Sequence, residues 1–179
     1  MPLTLASRSP QRRAILEQLG VRFDVVVPEV EETAEGDPRG MVIENALRKA
    51  RAVHGTTVLG VDTTVVLDGR SFGKPQSRDE AARFLRTLSG REHEVWSGLA
   101  LIRASEELTT AACTRVRFRT VGDDLMRWYL DSGEWRERAG GYAIQGRGAA
   151  LVEAVDGDFW NVVGLPVPEL IRIAPELLW

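Results

Sequence analysis

The stretch Leu3-Thr4-Leu5-Ala6-Ser7-Arg8-Ser9-Pro10-Gln11-Arg12-Arg13 sets the fold class. Leu3 to Ala6 reads as a short buried strand that runs directly into a helix. Ser9 suits the N-cap, Pro10 the first helical position, and Gly20 the glycine that ends the helix. Ile15, Leu16 and Leu19 supply its apolar stripe. A strand that ends in hydroxyl residues and opens a helix presents free N–H groups and the positive helix end. With Ser7, Ser9, Arg12 and Arg13 beside them, these groups make a cradle for phosphate oxygens. The same pattern also fits a capped amphipathic helix with solvated arginines.

Outward from this unit, strands and helices keep alternating. Phe23 to Val27 reads as a strand closed by Pro28, and Glu29 to Asp37 as an acidic loop. Met41, Val42, Ala46 and Val53 have helical spacing, with Glu44 and Arg48 as an i,i+4 pair. Val58 to Leu67 is a strand run interrupted by Asp62-Thr63-Thr64 and followed by the turn signal Asp68-Gly69. Ser77-Arg78-Asp79-Glu80 has the capping-box pattern of a helix ending at Ser89-Gly90. Val95 to Ile102 and Thr109 to Thr120 form a hairpin joined through Ala104 to Glu107. Asp123 can cap a helix that runs to Gly133. A Gly-rich segment, Ala139 to Gly148, precedes a strand near Ala150 to Val155, and Pro168 to Leu178 is helical by pattern, with Pro175 ending or kinking it. Crossovers and hairpins together predict an α/β fold with a mixed sheet. No linker or repeat divides the chain, so residues 1–179 are expected to form one domain.

Composition excludes several function classes. Cys113 is the only cysteine, which rules out an internal disulfide or a cysteine metal cluster and favours a reducing, cytoplasmic setting; it reads as a small packing residue. No apolar run approaches the ~20 residues that span a membrane, and the N-terminus lacks the pattern of a signal peptide. A net charge of −3 argues against a sequence-independent grip on nucleic acid. Neither a G-x-x-x-x-G-K-[ST] loop nor an H-E-x-x-H pair is present, and His54 and His93 are isolated.

The residues that point to chemistry are few. Asp62 stands inside the apolar run Leu59-Gly60-Val61-Asp62-Thr63-Thr64-Val65-Val66, where a carboxylate is costly unless it is paired or binds a metal. It could also sit where the chain bends and bond to the backbone. Glu29, Glu31 and Glu32 offer oxygen ligands to a hard cation, or simply make a solvated loop. Lys49 and Lys74 bring positive charge, Lys74 from the irregular Gly73-Lys74-Pro75. In Arg138 to Gly146 the glycines admit close backbone approach, and Gln145 can both donate to and accept from a base edge. The tryptophans share no spacing; Trp135 is the best candidate for a ligand or dimer surface.

As a set these residues resemble one family. Leu5-Ala6-Ser7-Arg8-Ser9-Pro10, Gly60-Val61-Asp62-Thr63, Gly73-Lys74-Pro75, Leu88-Ser89-Gly90, Ala139 to Gly146 and Val163-Gly164-Leu165-Pro166 are similar to the successive motifs of the Maf nucleoside triphosphate pyrophosphatases, in the family's order. The resemblance implies a mixed sheet flanked by helices, as in inosine triphosphate pyrophosphatases, with two lobes around a deep nucleotide cleft. It also implies a divalent cation, Mg²⁺ or Mn²⁺. It assigns Asp62 as the catalytic aspartate, with Lys49 and Lys74, and Glu32, with Glu31 adjacent, as metal ligands beside Asp62. Ser7, Arg12, Arg13 and Arg138 would contact substrate, and Gln11, Thr63 and Gln145 would select the base. Thr63 and Gln145 match members that prefer dTTP and UTP, whereas members acting on 7-methyl-GTP usually carry glutamate at 145. Gln11 departs from the usual arginine, and Glu137-Arg138 from a common Asp-Lys.

The expected reaction is water attack on the α-phosphorus with release of pyrophosphate, from dTTP, UTP or modified pyrimidine nucleotides as a house-cleaning activity. The alternatives are the same chemistry on 7-methyl-GTP or other triphosphates, or a nucleotide- or nucleic-acid-binding regulator of cell division, for which Arg115, Arg117 and Arg119 would form a basic ridge. Exposed tryptophans would favour a homodimer.

Overall fold

Two parallel steps open the fold, as the first strand-to-helix unit requires. The structure is a computed structural model that describes residues 2–104 and 106–179. Strand β1 (Leu3–Ala6) lies between β2 (Phe23–Val26) and β3 (Thr57–Leu67), parallel to both. Parallel neighbours need crossover connections, here made by α1 (Pro10–Gln18) and α2 (Pro38–Arg51). Strands β4 (Arg70–Phe72), β5 (Glu92–Arg103), β6 (Glu106–Phe118) and β7 (Val152–Asp156) then add antiparallel. The order is β2-β1-β3-β5-β6-β7, with β4 hydrogen-bonded to β3. Helices α3 (Arg78–Leu88), α4 (Asp123–Asp131), α5 (Phe159–Val163) and α6 (Val167–Ile173) complete the mixed α/β fold.

Local punctuation explains most boundaries. Ser9, Asp37 and Ser77 cap α1, α2 and α3 by accepting from the N–H groups of Arg12, Gly40 and Glu80. The capping box at Ser77 is displaced by one residue, since Glu80 Oε2 accepts from the N–H of Gln76. Asp123 is not a cap: Gly122 holds that position without a side-chain bond, and Asp123 lies in the first turn, where its charge favours the helix dipole. The long hairpin is tighter than its polar residues suggest, because Glu106 and Glu107 already pair with Arg103 and Ile102. Its connection includes Ser105, which with Met1 lies outside the described residues.

The interruption expected at Asp62-Thr63-Thr64 is in the core and not in the backbone. Strand β3 runs unbroken through all three residues. On one face, Leu59 and Val61 join an apolar cluster with Leu3, Leu5, Leu16, Leu99 and Leu165. Val65 and Leu67, farther along that face, join a second cluster with Phe72, Leu85, Phe118 and Tyr129. Thr63 stands in the seam between them. Asp62 points to the opposite face, which α2 covers.

That helix sits unusually close to the sheet. A Cβ on Gly60 would lie 2.0 Å from the carbonyl oxygen of Ala46, and one on Gly98 2.3 Å from that of Val42. Two glycines therefore let the backbone of α2 rest directly on β3 and β5, which brings Asn45 and Lys49 over Asp62.

Two expectations fail on burial. Trp135 is core, with its indole N–H donating to the Leu130 carbonyl at 3.2 Å, so it offers no surface. Cys113 is exposed, because the alternation along β6 turns Thr114 and Val116 inward. No helix among the described residues is long and apolar enough to cross a membrane.

Candidate active site

Asp62 is 6% exposed, and both of its oxygens are bonded. Lys49 Nζ donates to Oδ1 at 2.7 Å and Asn45 Nδ2 to Oδ2 at 3.0 Å. The same ammonium lies 2.8 Å from Glu32 Oε1, so one cation joins two carboxylates. Lys49 is buried while Glu32 is half exposed. The site thus runs from the protein interior to solvent along a line of alternating charge.

These groups line a cleft of about 560 Å³ that crosses the seam between the two apolar clusters. Ser7, Gln11, Arg12, Thr63, Lys74, Arg138 and Gln145 line it as well, so most of the residues singled out from the sequence converge there. Arg13 and Glu31 do not line it. Arg13 is half-buried on α1, and Glu31 faces solvent with its carbonyl accepting from Arg48 at 3.2 Å. The helical period explains Arg13, since its neighbour Arg12 takes the inward position.

Arg12 lines the cleft with its guanidinium already bonded within the protein. Its Nε donates to the Gly164 carbonyl at 2.9 Å, Nη1 to Ser7 Oγ at 3.0 Å and Nη2 to Thr63 Oγ1 at 3.1 Å. Burial lowers its pKa, against the opposing influence of Asp62 and Glu32. Thr63 in turn shares a 2.8 Å bond with Ser97 Oγ. The guanidinium therefore ties the turn after β1, the middle of β3 and the end of α5 into one wall.

The remaining cations stand differently. Lys74 is exposed and pairs with Glu137 at 3.1 Å. Arg138 is half-buried; its Nε and Nη1 have no partner among the described residues, and burial lowers its pKa. Gln11 is buried, with Oε1 accepting from Ser9 Oγ at 2.5 Å. Gln145 is exposed on the cleft wall. The Gly-rich segment that carries Arg138 and Gln145 is anchored by two tyrosines. Tyr129 donates to the Gly141 carbonyl and accepts from the Ala143 N–H, and Tyr142 bonds His93 Nε2 at 2.8 Å.

Asn45, Thr33 and Ser97 were missed by sequence reasoning. Asn45 had a faint signal, an amide on the apolar face of a helix one turn before Lys49. Nothing in the sequence marked the other two.

The sequence profile of the Maf-like protein family matches residues 2–177. A dTTP/UTP pyrophosphatase of Symbiobacterium thermophilum is 48% identical over 180 residues, covering 97% of this chain and 93% of that protein. Those of Thermococcus onnurineus and Thermus thermophilus are 46% and 45% identical, each over 99% of this chain and 94% of theirs. A solved structure of the Staphylococcus aureus Ham1 protein is a partial likeness, with TM-score 0.47 and 16% identity over 66% of this chain and 72% of that one. A profile match over nearly every residue, and relatives this similar over more than nine-tenths of their length, place the chain in a family: it belongs to the Maf-like proteins.

Proposed function

We propose that the protein is a nucleoside triphosphate pyrophosphatase that hydrolyses dTTP and UTP to the monophosphate and pyrophosphate. The observation that carries the reading is the pair of carboxylates, Asp62 and Glu32, convergent on one ammonium inside a cleft large enough for a nucleotide. The names of the relatives support the substrate class.

The donor set fits a divalent cation. Two carboxylates that approach one positive charge are the oxygen pair that Mg²⁺ or Mn²⁺ takes together with substrate phosphates. No cluster of three or more His, Cys, Asp or Glu converges among the described residues, so a cation held here would rely on substrate phosphate and water as well. Glu32 and Asp62 would hold the cation, which when bound neutralises phosphate charge and acidifies water. Asp62 accepts a proton from the attacking water and orients it toward the α-phosphorus. The bond from that phosphorus to the bridging oxygen breaks, and the electron pair leaves with pyrophosphate. Lys49, Lys74 and Arg138 offset the charge that develops there. Ser7 and the N–H groups of the turn that remain open would contact the phosphates, and Gln145 the base. Arg12 shapes the wall between them.

A cytoplasmic, house-cleaning role on modified pyrimidine nucleotides is part of this reading, and the exposed Trp128 and Trp179 fit a homodimer. Ion pairs weaken the basic ridge of the nucleic-acid alternative, since Arg115 pairs with Asp156 and Arg117 with Glu153 across β6 and β7, which leaves Arg119. The test is a phosphate assay coupled to inorganic pyrophosphatase, run on dTTP, UTP, CTP and 7-methyl-GTP. Turnover of dTTP and UTP is expected, reduced by about 10²–10⁴-fold in Asp62→Asn. Asp62→Asn at wild-type rate would sink the assignment.

A further inference from the structure

Asn45 is 2% exposed and spends its whole side chain on two segments that each carry a carboxylate. Nδ2 donates to Asp62 Oδ2 at 3.0 Å and to the Thr33 carbonyl at 3.0 Å, while Oδ1 accepts from the Thr33 N–H at 2.8 Å. The amide therefore grips the backbone of the residue after Glu32 at two points, as a neighbouring strand would. Residues 27–37 form neither helix nor strand, so nothing regular fixes Glu32. The ion pair of Glu32 with Lys49 involves a half-exposed carboxylate, and such pairs hold geometry weakly. A buried amide with three good bonds holds it far better.

We infer that Asn45 is a positioning residue: it keeps Glu32 beside Asp62, so the two carboxylates stay convergent whatever Lys49 does. Lys49 can then turn toward phosphate without the acidic loop drifting away. The kinetic part of this inference rests on the pyrophosphatase reading; the structural part does not.

The test compares wild type with Asn45→Ala and with Thr33→Pro, which removes the loop N–H that Asn45 accepts and, with it, the Thr33 hydroxyl that accepts from the Glu35 N–H. Three quantities are measured: amide exchange over residues 29–37, Mn²⁺ binding by electron paramagnetic resonance, and the Mg²⁺ dependence of pyrophosphate release. Faster exchange confined to the loop is expected. Mn²⁺ affinity should fall, and half-saturating Mg²⁺ should rise, by about 10-fold, with kcat at saturating Mg²⁺ kept within about 3-fold. A variant with a loosened loop but wild-type metal dependence overturns the inference, as does unchanged loop exchange. So does a fall in kcat with half-saturation unmoved, because that split belongs to a residue acting on the chemical step. Should wild type turn over no triphosphate, the pyrophosphatase reading fails, and exchange with Mn²⁺ binding still decides the role of Asn45. Should Asn45→Ala fail to fold, Thr33→Pro decides it.

Discussion

Lys49 Nζ lies 2.7 Å from Asp62 Oδ1 while also touching Glu32, so a side chain of the protein occupies the point between the two carboxylates. Removing it leaves a buried Asp62 with only Asn45 as partner, which costs about 3–5 kcal/mol when nothing replaces the charge. Lys49→Met is therefore expected to melt earlier than wild type without metal and to be stabilised more by Mn²⁺, while losing turnover. Thermal melts with and without Mn²⁺, in the absence of nucleotide, check this. Equal stabilisation of both proteins would mean that Lys49 and the cation do not compete.

The close seat of α2 makes a second expectation. Gly60→Ala puts a methyl group 2.0 Å from the Ala46 carbonyl, which is backbone and cannot rotate away. The helix must move out, and Asn45 and Lys49 move with it. Overpacking of this kind costs about 1–3 kcal/mol or more. Activity should fall further than stability alone explains, because the distance from Lys49 to Asp62 depends on the contact. Denaturant midpoints and kcat measured together test it; wild-type turnover in a folded Gly60→Ala protein would refute it.

The same two contacts show what could be read from the sequence. Asp62 was legible because a carboxylate in an apolar strand has few acceptable explanations. The strand-to-helix unit at Ser9 and Pro10 was legible because capping is local. Asn45 was not, since its partners are 12 and 17 residues away and an amide in a helix has no required role. The pairing of Arg12 is hidden for the same reason. Its position predicts a guanidinium near the phosphates, but nothing near it in sequence reveals a carbonyl 152 residues away. Trp135 was misplaced because burial of an aromatic depends on what packs over it. Local chemistry carried the reading, and long-range pairing limited it.

Arg12 supplies a third test. Lysine keeps the charge but cannot reach Gly164, Ser7 and Thr63 together. Leaving buried acceptors unpaired costs about 1–3 kcal/mol each, although hydroxyls can turn to new partners. Arg12→Lys is expected to lose about 2–3 kcal/mol, roughly 4–12 °C in Tm for a chain of this size. Calorimetry checks it. A wild-type Tm with reduced activity would instead make Arg12 a direct substrate ligand.

His93 gives the fold a defined acid weakness. Burial pushes its pKa down from the usual 6.5 to about 4, and its Nδ1 is buried without a partner among the described residues. The unfolded chain takes up a proton near pH 6.5 that the folded protein refuses until about pH 4. Stability is therefore complete above pH 6.5 and is lost as pH falls through that window, by about 3 kcal/mol in all. His93→Gln, which can still bond Tyr142, should flatten the fall in Tm between pH 6.5 and 4.5. An unchanged slope would assign the acid sensitivity to carboxylates elsewhere.

The three positions that the family resemblance gives to base choice differ in what they leave free for a ligand. The Thr63 hydroxyl is held by Arg12 and Ser97, and the Gln11 carbonyl by Ser9, so both are turned toward the protein. Gln145 is exposed on the cleft wall, with a donor and an acceptor available to a pyrimidine edge. Gln145→Glu removes the donor and adds a charge that suits a donor-rich guanine edge. The expected result is a fall of about 10–100-fold in kcat/KM for dTTP and UTP, with 7-methyl-GTP losing much less or gaining. The ratio of kcat/KM between nucleotides is the quantity to measure, since a general defect lowers all of them alike. An unmoved ratio would return base selection to the backbone of the Gly-rich segment that Tyr129 and Tyr142 hold in place.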